Sequence, residues 1–572
     1  MDKKDAMTPA PNAGQAKRKM PWSYLLIALL PSVSLFIFPA FSMYYKSAQD
    51  FVFGVSAITR FSLLGCLAAL VLAGLLAFLL PKNRVYQVYA SLTFAAGLCL
   101  YVQYNFLNPR FGVLDGSPID WGKFRKENVV SLLVWVLCIA VCVVLGLLFR
   151  EKCLTVMKFA ASFVVAIELV TVVTLAISTP KHNLTNFNVT NEHLLDVSDD
   201  NIVVFVVDSL DEFIYDDLRQ AKAPEVSDEA LADFVSFNNC IAGGGPTQYG
   251  LPLLLTGYQY TDMYQPYNAY LEDAYRSTNL YQDLSKSGYH IGLYTSTTYL
   301  YGAPVDLVQN VRQGTWTFTS PWIFAKTLYK FCGFFTLPQQ VKPYFWGYTD
   351  QFNQLITLKD YTGDVYHWST ENDQSFYQTL TDSGLSYKAG EKNYRFYHMV
   401  GSHSADLNEN METDPNSTYQ QETRGELMTI ETYLQQLKDL GVYDNTTVVI
   451  TADHGIRYEE VYARPAVLVK PKGHRGAYEE SSAPIQFMQF PATLASEFLK
   501  DHSQYGPSYF EVDENSSPDR YQVVHPSIPE FAGIISDYDP SAKGAMFRFH
   551  GNAADNQFEL VPPVKNDKGE RK

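Results

Sequence analysis

Five long apolar stretches fill most of the first 180 residues, and they constrain the fold more than any other feature of the sequence. A helix needs roughly 20 apolar residues to cross the hydrocarbon core of a bilayer, and each stretch is long enough. We therefore predict a five-helix transmembrane bundle over residues 21–179, preceded by a cytoplasmic tail of residues 1–20. The predicted spans are 21–44, 61–80, 85–107, 129–149 and 154–178.

The distribution of lysine and arginine predicts the orientation of the bundle. Basic residues occupy the N-terminal tail and the short connectors after the second and fourth spans, which we place in the cytoplasm. Five crossings then put everything after residue 180 outside the cell membrane. The loop 108–127 is also basic, yet this topology places it outside, against the positive-inside rule. We give more weight to the short connectors, because the rule holds best for short loops. We expect no ionised group within the helices. Five helices exceed what an anchor needs, which leaves open whether the bundle also positions a lipid.

The net charge of −16 and the seven cysteines limit the partners and the chemistry of the chain. An acidic protein lacks the basic face that a phosphate backbone requires, so we expect no nucleic acid partner. Only Cys240 and Cys332 lie beyond the apolar region. Whether they form a disulfide or remain free stays open, and no zinc-type cysteine spacing is present.

The sequence after residue 200 alternates between short apolar runs and helical patterns, which is typical of an α/β domain. Residues 180–200 are polar and predict a linker. Continuous apolar runs rich in β-branched residues fit buried strands of a parallel sheet. The predicted strands are 201–207, 290–294, 394–400, 446–451 and 466–470, and the clearest helices are 278–286 and 426–440. Sites in such sheets lie at the carboxyl ends of the strands.

Polar side chains follow three of these predicted strands. Asp208 follows the first, where a carboxylate can bind a hard metal ion or cap the next helix. The pair Asp453 and His454 follows another, and offers one oxygen and one nitrogen ligand to a zinc- or manganese-like ion. His398 and His403 lie at the end of a third, where an imidazole can bind a phosphate oxygen or move a proton, or be purely structural.

A glycine-rich segment, Gly243-Gly244-Gly245, leads to Thr247 at the predicted start of a helix. Glycine allows the backbone to approach a ligand closely, and a helix N-terminus favours an anion. A threonine hydroxyl on a metal ion loses its proton more easily and becomes a nucleophile. The alternative is an ordinary threonine cap after a flexible loop.

At these positions the sequence resembles the alkaline phosphatase/sulfatase superfamily, in particular its membrane branch of lipoteichoic acid synthases and phosphoethanolamine transferases. Segment 201–209 resembles the first strand with its metal carboxylate, although that branch commonly has Glu where this chain has Asp208. Segment 444–455 resembles the strand that ends in the last metal-ligand pair. The resemblance implies an extracytoplasmic, alkaline-phosphatase-like α/β/α sandwich over residues 201–555, followed by a polar tail of residues 556–572.

The resemblance also implies a site and a reaction. Thr247 would be the nucleophile, and His403 and His398 would bind the substrate. One divalent metal ion, Mn or Zn with Mg as an alternative, would be held by Asp208, Thr247, Asp453 and His454. The implied reaction moves a phospholipid headgroup, phosphoglycerol or phosphoethanolamine, from a membrane phospholipid to a cell-surface glycan, lipid or teichoic-acid-like acceptor.

Hydrolysis stays open as a second reaction, by a sulfatase-like phosphodiesterase or sulfuric ester hydrolase with water as acceptor. Sulfatases have Cys or Ser at the first position of a C-x-P-x-R motif. This chain has threonine at position 247 and no arginine after it, which argues against hydrolysis of sulfate esters. The segment after Gly455 lacks the additional histidine of phosphoethanolamine transferases, so the subgroup also stays open. A receptor without activity is disfavoured because the implied ligand set is complete.

Overall fold

The computed structural model of the chain describes residues 22–48, 51–81, 83–109, 111, 119–179, 187–455, 464–524, 544–555 and 557–561. The predicted tail 1–20 lies outside the described residues. The N-terminal helices are α1 (Trp22–Phe36), α2 (Phe38–Lys46), α3 (Val55–Leu79), α4 (Arg84–Val102) and α5 (Arg125–Ser178). Within the described residues, four apolar segments are long enough to cross a membrane: Tyr24–Lys46, Val55–Leu79, Arg84–Leu107 and Trp121–Ser178.

The last of these segments accounts for two of the five predicted spans. Helix α5 has 54 residues and would be about 80 Å long if straight, against about 30 Å of hydrocarbon. Its backbone is non-helical at Arg150, with φ 41° and ψ −112°. Thr179 after α5 donates to the carbonyl of Tyr45, and Ser131 near its start donates to Gln103. Both ends of α5 therefore lie beside the carboxyl ends of α2 and α4.

The carboxyl ends of α2 and α4 meet at one end of the bundle, where the Tyr104 hydroxyl donates to Ser42 Oγ at 2.7 Å. Arg150 consequently lies at the opposite end, and α5 is a hairpin of two apolar arms. The number of passes through the bundle agrees with the five predicted from the sequence. The first predicted span, 21–44, corresponds to two helices, α1 and α2.

The expectation of no ionised group within the helices did not take account of two ionisable residues. Helix α5 contains Lys158 and Glu168, and the Glu168 side chain is buried. Its carboxylate faces Ser34 of α1. Ionisable groups within apolar helices are rare because their desolvation is costly, and they face the protein interior. Glu168 follows this rule, since it points into the bundle.

One segment of the α/β domain packs on the apolar N-terminal helices, and we call this segment, residues 316–358, the clasp. The Phe324 ring lies 5.3 Å from that of Phe53, and Asn353 Oδ1 accepts a hydrogen bond from the backbone N–H of Val52. Aromatic pairs of this kind stabilise an interface beyond the area that they bury. The clasp consists of β8 (Trp316–Phe318), α10 (Pro321–Thr336), the 3-10 turn Gln339–Tyr344, α11 (Asp350–Asn353) and β9 (Ile356–Leu358).

The α/β domain is built on a seven-stranded sheet with the order β13-β3-β12-β11-β2-β10-β6. Strands β11, β2, β10 and β6 are parallel, whereas β12 runs antiparallel to both of its neighbours. The sheet is therefore mixed, not purely parallel as predicted. Its strands are β2 (Asp196–Val207), β3 (Val235–Phe237), β6 (Tyr289–Tyr294), β10 (Ser386–Met399), β11 (Thr446–Thr451), β12 (Val467–Lys470) and β13 (Glu479–Ser481).

Both faces of this sheet are covered. Residues 202–207 of β2 are all fully buried, and successive side chains of a strand point to opposite faces. The Tyr433 ring of α13 packs edge-on against Phe205 at 5.2 Å. The helices of the domain outside the clasp are α6 (Glu212–Gln220), α7 (Thr247–Thr256), α8 (Tyr267–Ser277), α9 (Leu280–Lys286), α12 (Thr370–Ser383), α13 (Tyr419–Asp439) and α14 (Phe490–Ser496).

Two predicted boundaries are corrected by smaller sheets. Residues 187–200 are not a linker, because β1 (Phe187–Val189) pairs with β7 (Val311–Gln313) and β2 begins at Asp196. The polar tail does not begin at residue 556, because β17 (Phe558–Val561) pairs with β16 (Ala545–Phe549). The remaining strands are β4 (Cys240–Ile241), β5 (Gly244–Gly245), β14 (Ile485–Gln486) and β15 (Arg520–Val524).

The question left open for Cys240 and Cys332 is answered by their positions. Both thiols are free and buried. Cys240 lies in β4, whereas Cys332 lies in α10 of the clasp. They are small apolar core residues, not a disulfide.

Candidate active site

The register of three neighbouring strands places the candidate ligands side by side. Val206 of β2 pairs with Thr451 of β11 on one side and with His398 of β10 on the other. Asp208 and Asp453 each follow the paired residue by two positions. Because the strands are parallel, the two carboxylates emerge together at the carboxyl edge of the sheet.

Asp208 is fully buried at this edge. Its Oδ1 accepts a hydrogen bond from Ser209 Oγ at 2.8 Å, and its Oδ2 accepts one from Thr247 Oγ1 at 3.2 Å. Ser209 adopts a positive φ of 61°, which turns the chain sharply after β2. The alternative of a helix cap is excluded for Asp208, because Asp211 caps α6 by accepting from Phe213.

Thr247 is the first residue of α7 and is largely buried. Its Oγ1 lies 3.4 Å from His454 Nε2, in addition to its bond to Asp208. The neighbouring Gly250 is required by packing, since a Cβ at that position would lie 2.0 Å from the carbonyl oxygen of Asp453. Helix α7 thereby presses directly on the loop after β11, which fixes the hydroxyl between the two ligand-bearing strands.

The orientation of His454 leaves one imidazole nitrogen for a ligand. His454 Nδ1 lies 2.6 Å from the carbonyl oxygen of Gly455, so Nδ1 carries the proton. The other nitrogen, Nε2, faces Asp453 Oδ2 at 3.4 Å and Asp208 Oδ1 at 3.7 Å. A histidine held in this way by its other nitrogen is the usual arrangement of a metal ligand.

His398 also belongs to this cluster. Asp208, His398 and Asp453 each offer one potential ligand atom, and these three atoms lie within 4.8 Å of one another. All three side chains are buried. His398 Nδ1 lies 3.1 Å from Thr295 Oγ1, and its Nε2 lies 3.6 Å from Asp208 Oδ2. The sequence analysis assigned His398 to substrate binding, whereas the structure places it among the ligand candidates.

These residues fit a divalent metal ion. Among the described residues, neither Asp453 Oδ2 nor His398 Nε2 has a hydrogen-bond partner, although both atoms are buried. Unpartnered buried polar atoms are costly, and a cation between them removes that cost. Two carboxylates with imidazole nitrogens suit zinc or manganese better than an all-oxygen site would.

The pKa shifts of Asp208 and Asp453 also indicate that positive charge stabilises this cluster. Burial would raise the pKa of Asp208, but the imidazoles of His403, His398 and His454 outweigh burial and hold the pKa below its ordinary value. Burial and the charge of Asp208 raise the pKa of Asp453. Two buried carboxylates so close together cannot both ionise without a compensating cation.

His403 lies beside this cluster of candidate metal ligands, in a 3-10 turn that follows β10. The Trp368 ring packs between the two histidines, stacked on His398 at 5.5 Å and edge-on to His403 at 4.9 Å. His403 also borders a cavity outside the cluster. This position fits the predicted role of His403 in substrate binding.

The match to a family model decides the family. The model described as Sulfatase matches residues 200–500, which is more than half of the chain. The chain belongs to the sulfatase family. Members of this family are metal-dependent enzymes, and the clustered residues of this sulfatase-family protein lie within the matched range. A search of curated proteins gives no match.

Solved structures similar to this sulfatase-family chain have low identity to it. Ps i-CgsB in complex with k-i-k-neocarrahexaose has a TM-score of 0.39 and 13% identity, over 63% of this chain and 86% of that one. The lipoteichoic acid synthase LtaP from Listeria monocytogenes has a TM-score of 0.33 and 13% identity, over 63% and 88%. The phosphonate monoester hydrolase SpPMH from Silicibacter pomeroyi has a TM-score of 0.33 and 15% identity, over 65% and 89%.

Sequence reasoning missed two features of the site. Trp368 carries no motif, and its role follows only from its contacts with two histidines. Asp373, which is buried on α12, accepts hydrogen bonds from the backbone N–H groups of Val400 and Gly401 and so holds the turn that carries His403. The sequence carries no signal for Asp373, because one aspartate in a polar helix is unremarkable until its burial is seen.

Proposed function

We propose that this protein is a membrane-bound, metal-dependent transferase that moves a phospholipid headgroup through a phosphothreonine intermediate on Thr247. The observation that carries the proposal is the position of the Thr247 hydroxyl, 3.2 Å from Asp208 and 3.4 Å from His454 inside a buried ligand cluster. A hydroxyl so placed, with no cysteine at this position, is suited to phosphoryl transfer.

In the first step Thr247 Oγ1, which has lost its proton to solvent, attacks the phosphorus of the lipid phosphodiester as an alkoxide. The bond between phosphorus and the diacylglycerol oxygen breaks, and that oxygen takes a proton, for which His403 is the proposed donor. A divalent cation, when bound, lowers the pKa of the threonine hydroxyl and balances the charge of the phosphoryl oxygens. The proposed ligands are Asp208, Asp453, His454 and His398, together with Thr247.

In the second step a hydroxyl of the acceptor attacks the same phosphorus, the bond between phosphorus and Thr247 Oγ1 breaks, and Thr247 leaves as the alkoxide that began the first step. The proposed acceptor is a cell-surface glycan, lipid or teichoic-acid-like polymer, and His403 takes up the proton of the attacking hydroxyl. Water in place of the acceptor gives a phosphodiesterase instead. Family membership alone supports either reaction, so the acceptor requires its own test.

The clasp supports a lipid as donor. Its inner side packs on the apolar helices through Phe324 and Phe53, while Trp322 is 77% and Tyr344 is 82% exposed. Exposed aromatic rings next to membrane-spanning helices are typical of the headgroup level of a bilayer. The clasp also contributes Tyr348 to the cavity beside His403, so it connects the membrane surface with the active site.

The proposed topology follows the charge distribution of the connectors. Arg150 and the connector between α3 and α4 lie at the cytoplasmic end, and the clasp and catalytic domain lie outside. The donor headgroup then belongs to the outer leaflet. This arrangement places donor, site and cell-surface acceptor on the same side of the membrane.

The test is release of diacylglycerol by the full-length protein in vesicles that contain fluorescent phosphatidylglycerol and phosphatidylethanolamine. We expect release that requires Mn²⁺ or Zn²⁺ and is lost in Thr247→Ala. No release from either lipid, with metal shown to be bound, would overturn the proposal. The exposed Thr381→Ala variant is the matched control.

A soluble saccharide added to the same assay distinguishes transfer from hydrolysis. Transfer attaches the phosphorylated headgroup to the saccharide, and mass spectrometry detects the product. Free phosphorylated headgroup as the only product would make the protein a phosphodiesterase.

A further inference from the structure

A cavity of about 310 Å³ opens beside the active site. His403 and Trp368 form its wall towards the cluster of candidate ligands. The other walls come from α12, the loop after His403 and Tyr348 of the clasp. His403 acts on Asp208 of the ligand cluster and also lines this cavity, which therefore offers space for the part of a headgroup beyond a phosphoryl group on Thr247.

Two carboxylates line the cavity, Glu371 on the first turn of α12 and Asp406 in the loop after His403. No lysine or arginine is among the described residues that line it. The Asp406 loop is fixed, because the backbone N–H groups of Asp406 and Leu407 both donate to Glu422. The cavity thus presents two exposed carboxylates, one of them on a fixed loop, beside the position proposed for the phosphoryl group.

The cavity walls add two aromatic rings, Tyr348 and Trp368. The face of an aromatic ring attracts a cation, and the attraction grows as the cation is desolvated. Carboxylates combined with aromatic rings are the chemistry that recognises an ammonium group. A neutral polyol would leave both carboxylates without a counter-charge.

Ser404 is an independent indication of a ligand. It lines the cavity beside His403, its side chain is nine-tenths buried, and its Oγ has no hydrogen-bond partner among the described residues. A buried hydroxyl without a partner is costly unless a ligand supplies one. Ser404 directly follows His403 in the chain and lines the same cavity as Glu371 and Asp406.

We infer that this cavity selects a headgroup that carries a primary ammonium, of the ethanolamine type, over a neutral polyol of the glycerol type. The inference rests on the proposed function. A primary ammonium has three N–H donors for the carboxylates, whereas a quaternary ammonium has none. The order of preference is therefore ethanolamine, then choline, then glycerol.

The experiment measures diacylglycerol release by the full-length protein from vesicles that contain one labelled lipid at a time. The lipids are phosphatidylethanolamine, phosphatidylcholine and phosphatidylglycerol, with Mn²⁺ or Zn²⁺ present. We expect the ratio of kcat/KM for ethanolamine over glycerol headgroups to be about tenfold or more. In Glu371→Gln/Asp406→Asn this ratio falls towards one.

Asp382→Asn is the matched control. Asp382 is exposed near the other end of the same helix α12, so this substitution removes a negative charge far from the cavity. Its ratio should equal that of the wild type. Release with a preference for glycerol, or a ratio unchanged in the double variant, would overturn the inference and leave intact the proposed attack of Thr247 on the lipid. No release from any of the three lipids would instead overturn the proposed function.

Discussion

His398 Nε2 lies 3.6 Å from Asp208 Oδ2, although the two residues belong to different strands and are 190 positions apart in the chain. The other nitrogen of His398 is occupied by Thr295 Oγ1. The imidazole is therefore held like a metal ligand, and its loss should affect the metal before it affects substrate binding.

We predict that His398→Ala lowers the affinity for Mn²⁺ or Zn²⁺ by about tenfold to a hundredfold, in the range seen when groups that support a metal site are removed. Metal content after dialysis, measured by mass spectrometry, checks this. A variant that keeps its metal but has a raised KM would show instead that His398 binds substrate. His290→Ala, a half-exposed histidine of β6, serves as control.

A second prediction concerns the contact between α7 and the loop after β11. Gly250→Ala should lower the free energy of unfolding by about 1–3 kcal/mol, the usual cost of overpacking, because the new Cβ would meet the Asp453 carbonyl. Thermal unfolding in detergent measures the change. Gly314→Ala is the control, since its nearest neighbour would be 3.6 Å away. Equal stability of the two variants would contradict the prediction.

A third prediction concerns pH. Burial raises the pKa of Asp373 to about 7 from its ordinary value of 3.8. Between these two pH values the carboxyl group of Asp373 keeps a proton in the folded state that it has lost in the unfolded chain. The free energy of unfolding therefore falls as pH rises from about 4 to 7, and this group changes it no further at higher pH.

Asp373→Asn removes that titration. We therefore expect the stability of wild type, relative to the variant, to decrease between pH 5 and pH 8. Thermal unfolding in detergent at several pH values measures the difference, and Asp382→Asn on the same helix is the control. A difference that does not change with pH would disprove a raised pKa at Asp373.

A fourth prediction tests the clasp. Trp322→Ala should raise the KM for lipid in vesicles several-fold, because the exposed ring no longer anchors the clasp at the headgroup level. Turnover of a soluble phosphodiester should stay at the wild-type level, since Trp322 is outside the site. Phe213→Ala, an exposed aromatic on α6, should change neither value.

The central sheet and its catalytic edge could be predicted because they depend on local patterns. Residues 202–207 of β2 are apolar and residues 446–451 of β11 are all β-branched, which indicates burial on both faces. Asp208 directly follows the first strand, and Asp453 follows the second after Ala452. Parallel strands then bring those ends together without further information. The predicted strand 446–451 has the same bounds in the structure.

The role of His398 and the existence of the clasp could not be predicted in this way. The position of His398 beside Asp208 depends on the register of β10 against β2, which no local pattern fixes. Helix α10 has 16 residues, too few for a span, and its apolar face resembles that of any core helix. Its partner is Phe53, about 270 positions away, so the pairing exists only in the tertiary structure.

The clasp determines how the catalytic domain can be prepared on its own. Cutting the chain after α5 would uncover the rings of Phe324, Phe331 and Phe352, which are fully covered in the intact protein. Contiguous apolar surface of this kind drives association in water. A well-behaved water-soluble form would need polar replacements along the clasp in addition to removal of the helices, and its monomeric fraction in size-exclusion chromatography would report how many are enough.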